Sequence, residues 1–272
     1  MIDIFALILL VSFLVYLIPG PARRFAAIAG WAAIILSLLA EVPEYLSLDN
    51  LLYPLLAIAS VPFLVMTAEF LLREDPRVMR LTDAAAIAVF LSAPFTLVPG
   101  LADILITLLI GQVAWLLHAL GYHADFLAWN IIARNGFASE IILACTGITA
   151  IAIMLGVAGS GRPTPRQGVL AFLLVVPAIY LLNLLRVSFV FIASSEQWFS
   201  FLPDLTSDPA PGYGAVSFFW AHNVIAETLS VLALVGIAFG LFRIIPQLAA
   251  FAREVVDLYA GDIRAFIGKT GA

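Results

Sequence analysis

Long apolar runs separated by short polar loops recur along the whole chain. An α-helix needs about 20 predominantly apolar residues to cross a hydrocarbon core of about 30 Å. The pattern predicts eight apolar segments, at residues 4–18, 25–40, 51–72, 84–98, 101–120, 141–158, 169–193 and 216–242. We therefore predict an all-α fold, a polytopic integral membrane bundle with seven to eight membrane segments.

The polarity of the chain changes near residue 245, which predicts two regions. Residues 1–245 are expected to form the membrane domain, and its first run is read as a retained span because no basic residue precedes it. Residues 246–272 are too polar to cross a membrane. Their apolar positions Leu248, Phe251, Val255 and Leu258 fall at helical spacing opposite Arg253, Glu254 and Asp257. This spacing predicts an amphipathic helix on the cytoplasmic membrane surface.

The composition excludes a water-soluble globular protein, since 63% of the residues are hydrophobic and 11% are charged. The mean hydropathy is +1.09. Twelve of the 13 basic residues are arginines that lie mostly between the apolar runs, so neither a nucleic-acid-binding face nor a nucleic-acid partner is expected. The single cysteine, Cys145, excludes intramolecular disulfides and paired-cysteine redox chemistry.

Basic residues in short loops indicate the cytoplasmic side of a membrane protein. Eleven of the 13 are assigned to that side: Arg23, Arg24, Arg73, Arg77, Arg80, Arg162, Arg166, Arg243, Arg253, Arg264 and Lys269. The opposite loops hold Glu41, Glu44, Asp49, Glu196, Asp204 and Asp208, with Arg134 as their basic residue. The amino terminus is then extracytoplasmic and the carboxyl terminus cytoplasmic. Because Pro94, Pro99 and Gly100 break the chain before it, segment 101–120 is predicted to be a re-entrant or interfacial helix on the outer side.

Ionisable side chains inside apolar spans are costly, and they are therefore the candidates for chemistry. Cys145, Arg186 and His222 lie in three different segments at similar depth, near the predicted outer face. Each residue has an ordinary explanation on its own: Cys145 as packing, Arg186 as a cation that reaches the headgroups, and His222 as a loop contact. Their common depth instead indicates an acyl-transfer site.

The three residue types have complementary roles in such a site. A helix amino terminus and a nearby arginine lower a thiol pKa, which favours Cys145 as the nucleophile. An arginine always carries its charge, so Arg186 is expected to stabilise the thiolate and the oxyanion, and His222 to transfer the proton. Asn183 shares a helix face with Arg186, and Gly147 leaves room beside Cys145, so both are candidate substrate-binding residues.

Other polar residues suggest different functions. His118, His123 and Asp125 form a loose cluster without a strong metal-ligand spacing, so we expect neither a metal nor a cofactor. Glu69 and Glu227 are interpreted as buried carboxylates with a structural or pathway role. A small-solute transporter or channel, with Arg186, Glu69 and Glu227 along its path, is the alternative function from a different class.

The sequence resembles the archaeosortase and exosortase family of membrane cysteine transpeptidases, and within it the archaeosortases most closely. The resemblance lies in the segments Ala144-Cys145-Thr146-Gly147-Ile148 and Asn183-Leu184-Leu185-Arg186-Val187, and in the pair His222-Asn223 in the last span. It covers the core at residues 81–242, and His222 stands where some archaeosortases carry arginine.

This resemblance implies a substrate and a reaction. The substrate is a secreted protein with a carboxyl-terminal tail of a short signature, an apolar span and a basic cluster. Cys145 is expected to form a thioester near the signature, with release of the tail, and a membrane lipid acceptor then takes the protein. A hydrolase that releases the protein to water uses the same residues and stays open as an alternative.

Overall fold

The computed structural model describes residues 4–47, 49–98, 100–206 and 212–270, with side chains up to residue 264. The helices are α1 Ile4–Leu17, α2 Arg23–Ala40, α3 Val42–Ser47, α4 Leu52–Leu72, α5 Pro76–Leu97, α6 Leu101–Ala119, α7 Ile148–Ser160, α8 Pro165–Ser195, α9 Ala215–Phe218, α10 Glu227–Ile244 and α11 Pro246–Thr270. A 3-10 turn covers Leu143–Thr146, and a π-helical segment, Phe219–Ala226, joins α9 to α10. Pro99 and Asp208, used in the loop predictions, lie outside the described residues, as does the side chain of Lys269.

The predicted all-α membrane bundle is confirmed. Within the described ranges, six helical stretches are long and apolar enough to cross a membrane: Arg23–Ser47, Leu52–Leu72, Pro76–Leu97, Leu101–Ala119, Pro165–Ser195 and Ala215–Ile244. The apolar helices α1 and α7 are shorter, at 14 and 13 residues.

Helix capping explains why two helices begin earlier than hydropathy alone predicts. The carboxylate of Asp75 accepts a hydrogen bond from the backbone N–H of Arg77, which starts α5 at Pro76. Thr164 and Gln167 form a reciprocal capping box that starts α8. These polar first turns lie before the apolar runs, so the apolar runs alone underestimate the lengths of the two helices.

Helices α5 and α7 pack in close contact because small residues line their interface. A Cβ atom added at Gly156 of α7 would lie 2.3 Å from the carbonyl oxygen of Ala84 on α5. Near the same interface, Arg80 of α5 donates to the carbonyl of Ser160, at the carboxyl end of α7. The two helices are therefore antiparallel, and α7 runs away from the Cys145 turn towards Arg80.

Helix α6 corresponds to the segment at residues 101–120 that the sequence predicts as a re-entrant or interfacial helix. Leu101–Ala119 is one uninterrupted helix that begins at Gly100, whose backbone is left-handed at φ +84°. The helix contains no break at which the chain could turn back, and its length permits a full membrane crossing. Its position relative to the membrane stays a prediction.

A three-stranded antiparallel sheet was missed between α6 and the 3-10 turn. Its strands are β1 Asp125–Ala128, β2 Ile131–Arg134 and β3 Phe137–Glu140, in the order β1-β2-β3. Asn135 and Gly136 form the β2–β3 turn with positive φ angles of 51° and 87°. Asn-Gly is the strongest local hairpin signal in a sequence, so the sequence alone could have predicted this turn.

The carboxyl-terminal helix α11 places its apolar face on the bundle. Leu248 and Phe251 are buried among residues of α7, α8 and α10, and the guanidinium of Arg80 lies 4.1 Å from the Phe251 ring. Farther along, Tyr259 stacks on Phe63 of α4. The apolar face predicted for this tail thus packs against other helices of the protein. The location of α11 on a cytoplasmic membrane surface stays a prediction.

Candidate functional site

Cys145 lies in the 3-10 turn Leu143–Thr146, ahead of helix α7. The sequence predicts it inside the first turns of one continuous helix over residues 141–158, and this part of the prediction is wrong. Gly147 adopts φ +77° and separates the turn from α7. Because only glycine takes this conformation without steric cost, Gly147 fixes the position at which the turn ends. Cys145 is half-buried and is not disulfide-bonded.

Asn183 of α8 connects Cys145 to Arg186. Its side-chain Nδ2 donates to the carbonyl oxygen of Cys145 at 2.6 Å, and its Oδ1 accepts from Nε of Arg186 at 3.3 Å. The Asn183 side chain is 8% exposed, so both bonds are sheltered from water and hold the turn and the guanidinium in one arrangement.

Gly147 lies close to the Asn183 side chain. A Cβ atom at this position would approach Cγ of Asn183 to 3.3 Å. The sequence predicts Gly147 and Asn183 as residues that contact substrate. In the structure they contact one another and the Cys145 turn, which indicates a positioning role.

His222 lies in the π-helical segment Phe219–Ala226. Its Nδ1 is 2.8 Å from Oδ1 of Asn223. An amide oxygen only accepts hydrogen bonds, so this contact places the hydrogen on Nδ1 and leaves Nε2 as the basic nitrogen of the neutral ring. The ring also stacks on Phe218, with centroids 4.9 Å apart and an interplanar angle of 12°. Phe218 packs against the apolar cluster that Cys145 also borders.

The charge of Arg186 acts on His222, on Glu227 and on Tyr53. Glu227 is 8% exposed and accepts a hydrogen bond from Asn50 at 2.6 Å. The sequence predicts Glu227 as a buried carboxylate, and the structure places it there, within the electrostatic field of Arg186. Its partners Asn50 and Tyr53 were missed, because they precede Glu227 by more than 170 residues and no local pattern links them.

The sheet packs against the same region. Arg134 donates to Glu196 at 2.7 Å, which attaches β2 to the end of α8. Phe137 of β3 lies 6.0 Å from the rings of both Phe191 and Phe218. The sheet thereby holds Phe218, against which the His222 ring stacks.

Two predicted groups do not join this site. Glu69 is exposed and forms an ion pair with Arg73, so its prediction as a buried carboxylate is wrong. Nδ1 of His118 lies 3.3 Å from Nδ1 of His123, but no group of three metal-ligating side chains is found among the described residues.

The side chains predicted for a nucleophilic site are arranged as follows. They comprise a half-buried thiol, a guanidinium tied to the same turn through Asn183, and a histidine with a fixed tautomer. Such a set activates a nucleophile and stabilises the negative charge that develops on an attacked carbonyl.

Comparisons with known proteins cover part of this candidate site. The family model for transmembrane exosortases matches residues 3–206, a range that includes Cys145 and Arg186 and ends before His222. Archaeosortase A of Haloferax volcanii is 28% identical over 261 residues, which cover 86% of this chain and 84% of the relative. Archaeosortase A of Natronomonas pharaonis is 33% identical over 139 residues, which cover 48% of this chain and 42% of the relative. No solved structure matches the chain significantly.

Proposed function

Because the chain belongs to the transmembrane exosortase family, we propose that it is a cysteine peptidase and transpeptidase that processes secreted surface proteins. The membership confirms the family predicted from the sequence, and the chain is a multi-pass membrane protein. The observation that carries the proposal is the hydrogen-bonded link from Cys145 through Asn183 to Arg186.

The proposed reaction assigns one role to each side chain. Nε2 of His222 accepts the thiol proton, and the Cys145 sulfur attacks a backbone carbonyl carbon of the substrate. Arg186 stabilises the oxyanion of the tetrahedral intermediate. The C–N bond then breaks, the His222 imidazolium gives its proton to the departing amine, and a Cys145 thioester remains. A nucleophile on a lipid headgroup then displaces the thiolate and completes the transfer.

Two further residues act through the catalytic groups. Asn223 fixes the tautomer and orientation of the His222 ring, as an orienting partner does in other nucleophile–base pairs. Asn183 fixes the Cys145 turn relative to the guanidinium. We assign both as positioning residues.

The substrate is a secreted protein whose carboxyl-terminal tail consists of a short signature, an apolar span and a basic cluster. In this arrangement the signature meets Cys145 at the extracytoplasmic face, and the basic cluster stays with the cytoplasmic carboxyl terminus of the enzyme. The similarity to two archaeosortase A proteins supports this class of substrate.

The transporter alternative requires a polar path that includes Glu69, Arg186 and Glu227. Glu69 is exposed and paired with Arg73, whereas Glu227 is buried and bound to Asn50. The two carboxylates therefore do not line one path, and the enzyme is the better-supported function.

Trapping the thioester tests the proposal. Membranes that contain the enzyme and a tailed substrate are treated with hydroxylamine, which attacks thioesters and leaves a hydroxamate on the new carboxyl terminus. We expect the hydroxamate with wild type and none with Cys145→Ala. Tail removal by the Cys145→Ala variant at the wild-type rate would overturn the mechanism.

A further inference from the structure

A cleft lined by arginines lies at the end of the bundle remote from Cys145. It has a volume of about 440 Å³ and is formed by the α1–α2 loop, the start of α5 and the α7–α8 loop. Arg162, on its wall, precedes the start of α8, whereas Asn183 lies 18 residues into that helix. At about 1.5 Å of rise per residue, the cleft and the catalytic turn are about 27 Å apart along α8.

The charged lining of the cleft carries an excess of positive charge. Four arginines, Arg23, Arg24, Arg80 and Arg162, face two carboxylates, Glu74 and Asp83. The two ion pairs are long, at 3.7 Å for Arg23–Asp83 and 3.6 Å for Arg24–Glu74.

The other two arginines lack a paired carboxylate among the described residues, although the more distant charges of Glu254 and Asp83 act favourably on Arg80. In the described part of the chain, neither Arg80 nor Arg162 has a carboxylate within the 4.0 Å of an ion pair. The charges of Arg80 and Arg162 act on one another unfavourably. A bound anion between them relieves this repulsion.

One of the cleft arginines also carries an unsatisfied hydrogen-bond donor. Nε of Arg24 is buried and has no acceptor among the described residues. An unpaired buried donor on a charged group is costly, and a planar guanidinium suits the paired oxygens of a phosphate.

An apolar wall of exposed side chains borders the α1–α2 loop, which forms part of the cleft. Leu17 and Ile18, before the α1–α2 loop, are 53% and 64% exposed, and Phe25, after it, is 55% exposed. In a membrane protein these surfaces contact acyl chains. A molecule with a phosphate in the cleft and hydrocarbon against this wall matches both surfaces.

We propose that this cleft binds a phosphate group, either the headgroup of an anionic phospholipid or free phosphate. The ligand joins the α1–α2 loop, the start of α2, α5 and the α7–α8 loop into one unit at this end of the bundle. The site is separate from the proposed catalytic residues, and the inference does not depend on the proposed function.

Binding by the full chain and by matched arginine variants tests the proposal. The variants are Arg24→Gln and Arg162→Gln, and the control is Arg253→Gln, which removes the same charge from an exposed position on α11 outside the cleft. Each protein is placed in nanodiscs of phosphatidylcholine with a minor fraction of phosphatidylglycerol, and the bound lipid is identified by native mass spectrometry. In parallel, each is titrated with inorganic phosphate in detergent, and its Tm is measured against chloride at equal ionic strength.

We expect wild type and Arg253→Gln to behave alike, and Arg24→Gln and Arg162→Gln each to bind about 10-fold to 100-fold more weakly, as for the loss of one charge-assisted hydrogen bond. Enrichment of phosphatidylglycerol identifies the lipid as the source, and stabilisation by phosphate without that enrichment identifies free phosphate. If neither ligand binds, or if Arg253→Gln weakens binding as much as the cleft variants, the proposal is overturned. Arg162 is exposed, so its variant remains informative even where Arg24→Gln does not fold.

Discussion

The amide of Asn183 is bound at both of its ends, to the carbonyl of Cys145 and to Nε of Arg186. The first bond holds the backbone of the turn that carries Cys145, the proposed nucleophile, and the second holds the guanidinium. Single side chains at this site are therefore coupled, and removal of one displaces the others.

We expect Asn183→Ala to lower the turnover number for tail cleavage by about 10-fold to 100-fold, since two hydrogen bonds that orient the site are lost. KM should change little, because a positioning residue affects the chemical step more than binding. The measurement is the rate of tail cleavage in membranes as substrate is varied. Ser188→Ala is the control on the same helix, since the Ser188 hydroxyl is buried without a described partner. Equal rates for the two variants would remove Asn183 from the mechanism.

At the scale of helices, local signals and packing determine different features. The apolar runs predict where helices cross, but capping residues such as Asp75 and Thr164 determine where they start. The π-helical segment around His222 has no composition signal, since its widened turns depend on packing. The sheet did have a signal, Asn135-Gly136, which the strength of the surrounding helical pattern obscured.

Close packing of α5 on α7 predicts a strong effect at Gly156. In Gly156→Ala the added methyl would overlap the Ala84 carbonyl, so the helices must separate. We expect a loss of stability of about 1–3 kcal/mol, measured as a lower Tm of the purified protein in detergent. Gly236→Ala is the control, because a Cβ there meets nothing within 4 Å. A Tm that fell equally in both variants would contradict the packing.

The cap of α5 predicts a pH-dependent contribution to stability. Hydrogen bonds from the Arg77 side chain hold the pKa of Asp75 below its usual value of 3.8. A lowered pKa in the folded state stabilises the fold above the unfolded pKa, and this contribution disappears as pH falls through the folded pKa. We expect Asp75→Ala to lower stability by about 1 kcal/mol at neutral pH, and the difference from wild type to vanish at a pH well below 3.8. Thermal unfolding across this range measures it, and a difference that persisted in acid would contradict the assignment.

At the scale of the whole molecule, the amino-terminal part of the chain contacts the segment that follows His222. Asn50, just before α4, binds Glu227 across 177 residues of sequence, and the charge of Arg186 acts on Glu227. Hydropathy and the depth of three polar residues were enough to predict the bundle and the candidates Cys145, Arg186 and His222. The partners Asn50, Tyr53 and Asn223 depend on tertiary contacts or on π-helical geometry, which no single-sequence pattern specifies.

The bundle also separates two chemistries along its length. The proposed nucleophilic site lies beside the sheet, and the arginine cleft lies at the opposite end of α8.

The most direct test of the central claim is the intact mass of native secreted proteins that carry the tripartite tail. These proteins are isolated from host cells that express either wild type or Cys145→Ala, with the two enzymes at equal abundance. The account predicts that wild type yields proteins without the tail and with the added mass of a lipid, whereas Cys145→Ala leaves them at full length. Loss of the tail without added mass would identify a hydrolase, and identical masses from the two strains would contradict the claim that Cys145 performs the cleavage.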